Sequence, residues 1–330
     1  MWRRQKRKSV VVIALEMIIV GLVLSGIGVG LSSSSSHDTR IITELTEHDY
    51  DCVDVNDVNA IEVNLISEET IVQFVNNDTL SVKYWDNEEG NIYTVDVKKH
   101  RLEVSRNFAY HDDFNGIQTI DIAKAISQRY TVTKTDAPVV IYVPEAFRGK
   151  IEVNSVSGNV AISDIDIDES IDINTTSGNI VIRNSSTVGT LDIATISGDL
   201  SIMDFSSGGR QDIDTTSGDI KIKDVSSSGK MSCNSVSGKI TGTDIFAESI
   251  EVSSTSGKIE FSETSIVSKL EADSRSGVIS LDLVGKASEY MTDIDTASGI
   301  VKVAEGVSTS ADKIIEVSTT SGGITIAFEE

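Results

Sequence analysis

Nine Ser-Gly pairs are the residues of this chain whose type and repetition most suggest chemistry. They are Ser157-Gly158, Ser177-Gly178, Ser197-Gly198, Ser217-Gly218, Ser237-Gly238, Ser256-Gly257, Ser276-Gly277, Ser298-Gly299 and Ser321-Gly322. A serine beside a glycine is the minimal element of a nucleophile elbow or of a phosphate-cradling loop. No G-x-S-x-G elbow, Walker pattern or G-x-G-x-x-G run surrounds any of them. Nine copies of one dipeptide read as an architectural requirement, because a repeat protein must restate its corner in every unit.

A second candidate set is acidic. Asp164, Asn184, Asp204, Asp224, Asp244 and Glu263 recur a few residues after each pair, and Asn154, Asn174, Asp214, Asn234, Asp273 and Asp295 recur three before the serine. Stacked carboxylates repel unless they are separated, protonated or bridged by a cation. Asp164, Asp204, Asp224 and Asp244 are therefore cation candidates, calcium being the ion that favours several oxygen ligands. The G-G-x-G-x-D nonapeptide of calcium-binding repeats is absent, and Asp and Asn also form turns. No residue is assigned as a metal ligand, as catalytic or as cofactor-binding, and no cofactor is expected.

An alternative function is that of a polysaccharide-active β-helix enzyme. That activity needs paired acids with a nearby base, breaking the repeat. Arg210, Arg275 and Lys286 are scattered. His37, His48, His100 and His111 lie outside the repeats, and Tyr110-His111-Asp112-Asp113 reads as a solvated loop. The chain is expected not to be an enzyme.

The elements that carry these residues follow from spacing. The Ser-Gly pairs are separated by 20, 20, 20, 20, 19, 20, 22 and 23 residues. A fixed period of this size marks a solenoid. Within a unit such as Ile151-Glu152-Val153-Asn154, apolar and polar residues alternate with the period of a strand. Val153 recurs as Ile173, Ile193, Ile213, Cys233, Val252, Ala272, Ile294 and Val317. Such columns stack at about 4.8 Å per rung, so nine rungs make a rod of about 40 Å. The pattern predicts an all-β fold, a parallel β-solenoid of ~20-residue rungs, right-handed by the crossover rule. Glycine at each corner supplies positive φ for the bend. The corner serine and the Ser/Thr two residues before it are expected to point inward, with hydroxyls bonded to the backbone or along the stack.

Bulk numbers agree. Aromatics are 5% of the 330 residues and prolines number two, which favours short stacked strands over a core of large rings. Net charge is −23. Such a surface repels nucleic acid, so no nucleic-acid partner is expected. Cys52 and Cys233 are too few for a disulfide framework, and Cys233 reads as a small core residue.

The N-terminus reads as a membrane anchor. Residues 1–9 are a basic cytoplasmic tail. Residues 10–31 are an apolar run with the single charge Glu16, long enough for a transmembrane helix. The preceding basic residues place the tail in the cytoplasm and the bulk outside, on a single-pass cell-membrane protein. Residues 32–40 form a Ser-rich tether. Residues 41–150 are a β-rich lead-in or cap region, with an ambiguous stretch at 117–130 that permits a short helix. Residues 151–330 are the nine-rung solenoid.

The order of strand-rich lead-in, Val139-Val140-Ile141-Tyr142-Val143-Pro144, and units such as Ile171 to Ile182 resembles the bacterial putative-adhesin family of β-strand-repeat proteins, a domain of unknown function. The resemblance covers about residues 58–328, and the basic N-terminus and single span look like those of membrane-anchored members. It implies a surface-facing role, and the anchor, the tether and the repeated surface add the expectation of a non-catalytic adhesin or envelope scaffold that presents a repetitive acidic surface to a cell-wall glycan or envelope protein. A further alternative is an accessory protein of membrane or envelope stress signalling, acting through the anchor and tail.

Overall fold

The computed structural model describes residues 45–52, 55–86, 92–107 and 137–329. The N-terminal apolar run, the basic tail, the Ser-rich tether, the 117–130 stretch and the Tyr110–Asp113 cluster lie outside them. Among the described residues, no helix is long and apolar enough to cross a membrane. The regular elements there are strands and two 3-10 turns.

One rung contains three strand segments and three corners. Lys150–Ser155 forms the first segment, Val160–Ser163 the second and Asp166–Ile167 the third. Alternation puts Ile151, Val153, Val160, Ile162, Ile165 and Ile167 inside, nearly solvent-free. Each such side chain contributes about 1.5–3 kcal/mol by leaving water. The next rung repeats this one residue for residue in parallel register, with Ile171 on Ile151 and Ile180 on Val160. Where the 19-residue spacing falls, the ladder shifts register between Ala247 and Ser249. The parallel β-solenoid expected from the repeat is therefore the observed fold.

The two sharpest corners work differently from expectation. None of the Ser-Gly glycines has positive φ. Glycine is required there by crowding instead. A Cβ on Gly198 would lie 1.9 Å from the carbonyl oxygen of Gly178, and one on Gly218 would lie 1.8 Å from that of Gly198. All nine corner glycines sit in one such column. The corner serines point outward rather than inward: Ser157, Ser177 and Ser197 are exposed while the following glycines are buried. Strand parity breaks at the bend, so the side chain after it changes sides.

The preceding hydroxyl behaves as expected. Gly178 N donates to Thr175 Oγ1 at 3.0 Å, and Gly218 N donates to Thr215 Oγ1 at 3.1 Å. Thr215 Oγ1 in turn donates to Gly198 O at 3.3 Å, tying one rung to the last. Positive φ appears at the second corner. Asp164, Asn184, Asp204, Asp224, Asp244 and Glu263 have φ between 49° and 60°. Asp and Asn tolerate this left-handed region best among residues with a side chain.

Both ends of the stack depart from sequence order. Lead-in strand Ala60–Leu65 pairs in parallel with Lys150–Ser155 and on its other side with Arg101–Arg106. Thr70–Val75 likewise lies between Val160–Ser163 and Val139–Pro144. The ladder thus runs unbroken into the lead-in. Three antiparallel strands then close this end: Thr46–Asp51, Ser81–Asp86 and Tyr93–Lys98. The glycine column ends at Glu68, whose carbonyl meets Gly158. Its fully buried carboxylate pairs with Arg106, which also lies 5.9 Å from the Tyr93 ring centroid. At the other end, Lys313–Ser321 inserts between Ile259–Ser274 and Tyr290–Ser298. The last Ser-Gly pair in sequence is therefore the second-last in space, which accounts for the spacings of 22 and 23.

Candidate binding surface

The outward residue between the two apolar positions of the first segment forms a ladder of acids. In spatial order it runs Glu103, Glu62, Glu152, Asp172, Asp192, Asp212, Ser232, Glu251, Glu271, Glu316, Asp293. Neighbouring carboxylates one strand apart would repel. A cationic column beside them resolves this. Lys150 bridges Glu152 at 2.9 Å and Asp172 at 2.6 Å. Arg210 contacts both Asp192, at 3.1 Å, and Asp212. Lys269 bridges Glu271 at 2.9 Å and Glu316 at 2.8 Å. Partial burial would lower the pKa of Lys150 and of Lys269, but the hydrogen bonds each donates to two carboxylates outweigh it and raise both.

The next outward column carries amides and acids bonded rung to rung. Asn154 Nδ2 donates to Asn64 Oδ1 at 3.1 Å, and Asn234 Nδ2 to Asp214 Oδ1 at 2.7 Å. Ser318 Oγ donates to Asp273 Oδ1 at 2.5 Å. Burial pushes the carboxyls of Asp214 and Asp273 up, against these hydrogen bonds, and neighbouring acids add to the rise. Beyond the glycine corner a third column, Asn159, Asn179, Asp199 and Asp219, accepts the backbone N–H of the following rung at 2.7–3.0 Å.

Three of the cation candidates come together. Asp164, Asp204 and Asp224, with Asn184, line an open groove of about 420 Å³ together with Ser186, Ser206 and Ser226. Asp244 continues the left-handed column. Asn184 Nδ2 donates to Asp164, and Lys223 pairs with Asp224 at 2.9 Å, so a donor and a cation offset part of the repulsion among these acids. Among the described residues, no group of three or more His, Cys, Asp or Glu is arranged to hold a metal ion. Backbone conformation gives these acids a reason to recur, independent of any ligand.

The remaining candidates disperse. His48 stacks on Tyr84 with centroids 5.5 Å apart, and His100 Nδ1 meets Asp57 O at 2.9 Å, both within the lead-in. His37 and His111 lie outside the described residues. Cys52 and Cys233 are buried free thiols, and burial raises both pKa values, that of Cys52 to about 11. Neither has thiolate character at neutral pH. The acid ladder was the part of the surface that reading by motif missed. Its signal was present: the variable position of the apolar-x-apolar pattern is Glu or Asp in nearly every rung.

The family model described as Toastrack DUF4097 matches residues 58–327. No curated protein sequence matches. Among solved structures, a putative adhesin from Parabacteroides merdae is 12% identical with a TM-score of 0.50, covering 87% of this chain and 97% of its own. A putative adhesin from Bacteroides fragilis is 16% identical with a TM-score of 0.39, covering 87% and 98%. A putative cell adhesion protein from Clostridium sporogenes is 13% identical with a TM-score of 0.24, covering 87% and 100%. The likeness to the Parabacteroides protein is one of fold.

Proposed function

The chain belongs to the Toastrack DUF4097 family, and from that premise we propose that it is a non-catalytic adhesin or envelope scaffold. In this reading residues 10–31 anchor it in the cell membrane, residues 1–9 stay in the cytoplasm, and the right-handed solenoid stands outside. The solenoid presents its repeated acidic face to a cell-wall glycan or an envelope protein. The observation that carries this reading is the ladder from Glu103 to Asp293, one polar pattern restated along one face. Repetition at strand spacing offers many weak contacts to a polymer or to a repetitive partner, and these add through avidity.

The test is co-sedimentation of the full chain, in detergent, with purified cell-wall material and with envelope extract. Binding that falls by tenfold or more when Asp172, Asp192 and Asp212 are changed together to Asn supports the proposal. Retention by neither material sinks it, and so does turnover of a glycan panel abolished by one substitution.

A further inference from the structure

The C-terminal end of the solenoid is an unfinished rung. Among the described residues, Tyr290–Ser298 pairs along its length with Lys313–Ser321 and meets one isolated parallel bridge, Met291 with Ser308, on its other side, while Val301–Val303 pairs only with Ile324–Glu329. Beyond them the loop 304–312 touches this edge once, where Ser308 N donates to Tyr290 O at 2.9 Å. Residues 292–298 therefore offer a row of backbone donors and acceptors with no further strand among the described residues. The core is open here as well. Val301 occupies the column that begins at Val160, yet it is 40% exposed where Val160 is 1%, and the adjoining Ile300 is 71% exposed.

The charge pattern is interrupted at the same place. Inside the stack, Lys150, Arg210 and Lys269 each join two successive acids of the ladder. Asp293 is the last acid, and among the described residues no basic side chain lies within ion-pair distance of it. Its register neighbour Glu316 is already held by Lys269. The two side chains that occupy the cation column at this end are Ile314 and Met291. The next outward position along the strand, Asp295, is exposed and acidic too.

We infer that residues 292–298 receive an extended segment of a partner protein in which aliphatic and basic residues alternate. The segment adds one strand to the ladder, the mode of recognition in which backbone bonds give affinity and alternate side chains give specificity. Its aliphatic residues cover the level of Ile294, and its basic residues stand outward beside Asp293 and Asp295, restoring the bridging pattern of the interior. A second copy of this chain is the wrong occupant. Two identical ends face each other across a two-fold axis, which makes the strands antiparallel. Centred on Ile294, that pairing sets Asp293 of one copy against Asp295 of the other, and like charges directly opposite are destabilising. The N-terminal end is finished differently, by antiparallel strands laid against the parallel ladder.

This inference deepens the protein-partner half of the proposed function, and its test can fail while the acid face still retains envelope material. The probe is a capped seven-residue peptide, Thr-Lys-Val-Lys-Val-Lys-Thr, titrated into the full chain by fluorescence anisotropy. A matched peptide with Glu in place of Lys and a scrambled peptide with the Lys residues contiguous serve as comparisons. Saturable binding of the alternating Lys peptide, at least tenfold tighter than either comparison, is expected. The Asp293→Lys, Asp295→Lys double variant should lose at least tenfold of that affinity with an unchanged melting temperature, since both side chains are exposed. Should that double variant melt lower, amide exchange on the parent chain decides: slowed exchange at 292–298 with peptide supports the edge, and unchanged exchange overturns it. Equal binding of all three peptides, no binding, or a self-associated chain whose 292–298 amides are already protected would each overturn the inference.

Discussion

The Ser-Gly corner and the left-handed corner turn the same chain through comparable bends by different physics. At the first, backbone approaches backbone so closely that no side chain fits, as the 1.9 Å between a hypothetical Gly198 Cβ and Gly178 O shows. At the second, there is space for Asp204 but φ is 52°. One corner selects residue size and the other selects conformational tolerance. The difference teaches that a recurring residue in a solenoid reports whichever constraint its rung imposes. Neither column requires a ligand to explain why it recurs.

The end of the glycine column gives the largest expected effect among substitutions that sharpen this contrast. Glu68 fills the space below Gly158 and is buried with Arg106. Changing Arg106→Met leaves a buried carboxylate uncompensated. It should lower the unfolding free energy by about 3–5 kcal/mol, measured by urea denaturation. The double change Glu68→Gln with Arg106→Met should recover part of that loss.

The hydroxyl that ties the crowded corner is worth less. Thr215→Val keeps the shape but removes the acceptor for Gly218 N and the donor to Gly198 O. A loss of about 1–2 kcal/mol is expected by the same method. A β-branched residue at the left-handed corner, Asp204→Val, should cost about 1–2 kcal/mol through φ alone.

The smallest effect is a pH dependence that separates charge from geometry. Burial raises the pKa of Asp214 in the folded protein, with Asn234 acting against the rise and Asp192 for it. A raised carboxyl pKa means that stability is full below the unfolded-state value and is lost as pH rises through the folded one. Asp214→Asn keeps an acceptor for Asn234 and removes the charge. The variant should therefore melt slightly higher than the parent at pH 7, and the gap should close below about pH 4, the ordinary Asp range.

Much of this architecture is legible in the chain because a solenoid repeats its constraints. The period, the inward columns from Val153 and Val160, and the inward hydroxyls at Thr175 and Thr215 all follow from alternation and spacing. Three features did not follow. Crowding at Gly178 depends on the rung beneath, which the residues of a single rung do not contain, so positive φ is the only reason for glycine that one rung offers. The outward turn of Ser157 required knowing where parity breaks. The insertion of Lys313–Ser321 beneath Tyr290–Ser298 leaves only a lengthened spacing as its trace. The bridged acid ladder was visible as a column but became a candidate surface only when Lys150 and Arg210 were seen to join successive acids.

The central claim is that the two corners are fixed by opposite requirements, and one rung tests it directly. Asparagine tolerates the left-handed region, so Gly198→Asn would be mild if that corner were selected for φ. Thermal unfolding of Gly198→Asn and Asp204→Gly, side by side with the parent, distinguishes the two causes. The crowding account predicts that Gly198→Asn fails to fold or loses more than about 3 kcal/mol, while Asp204→Gly stays within about 1 kcal/mol. A Gly198→Asn protein that melts with the parent would contradict it.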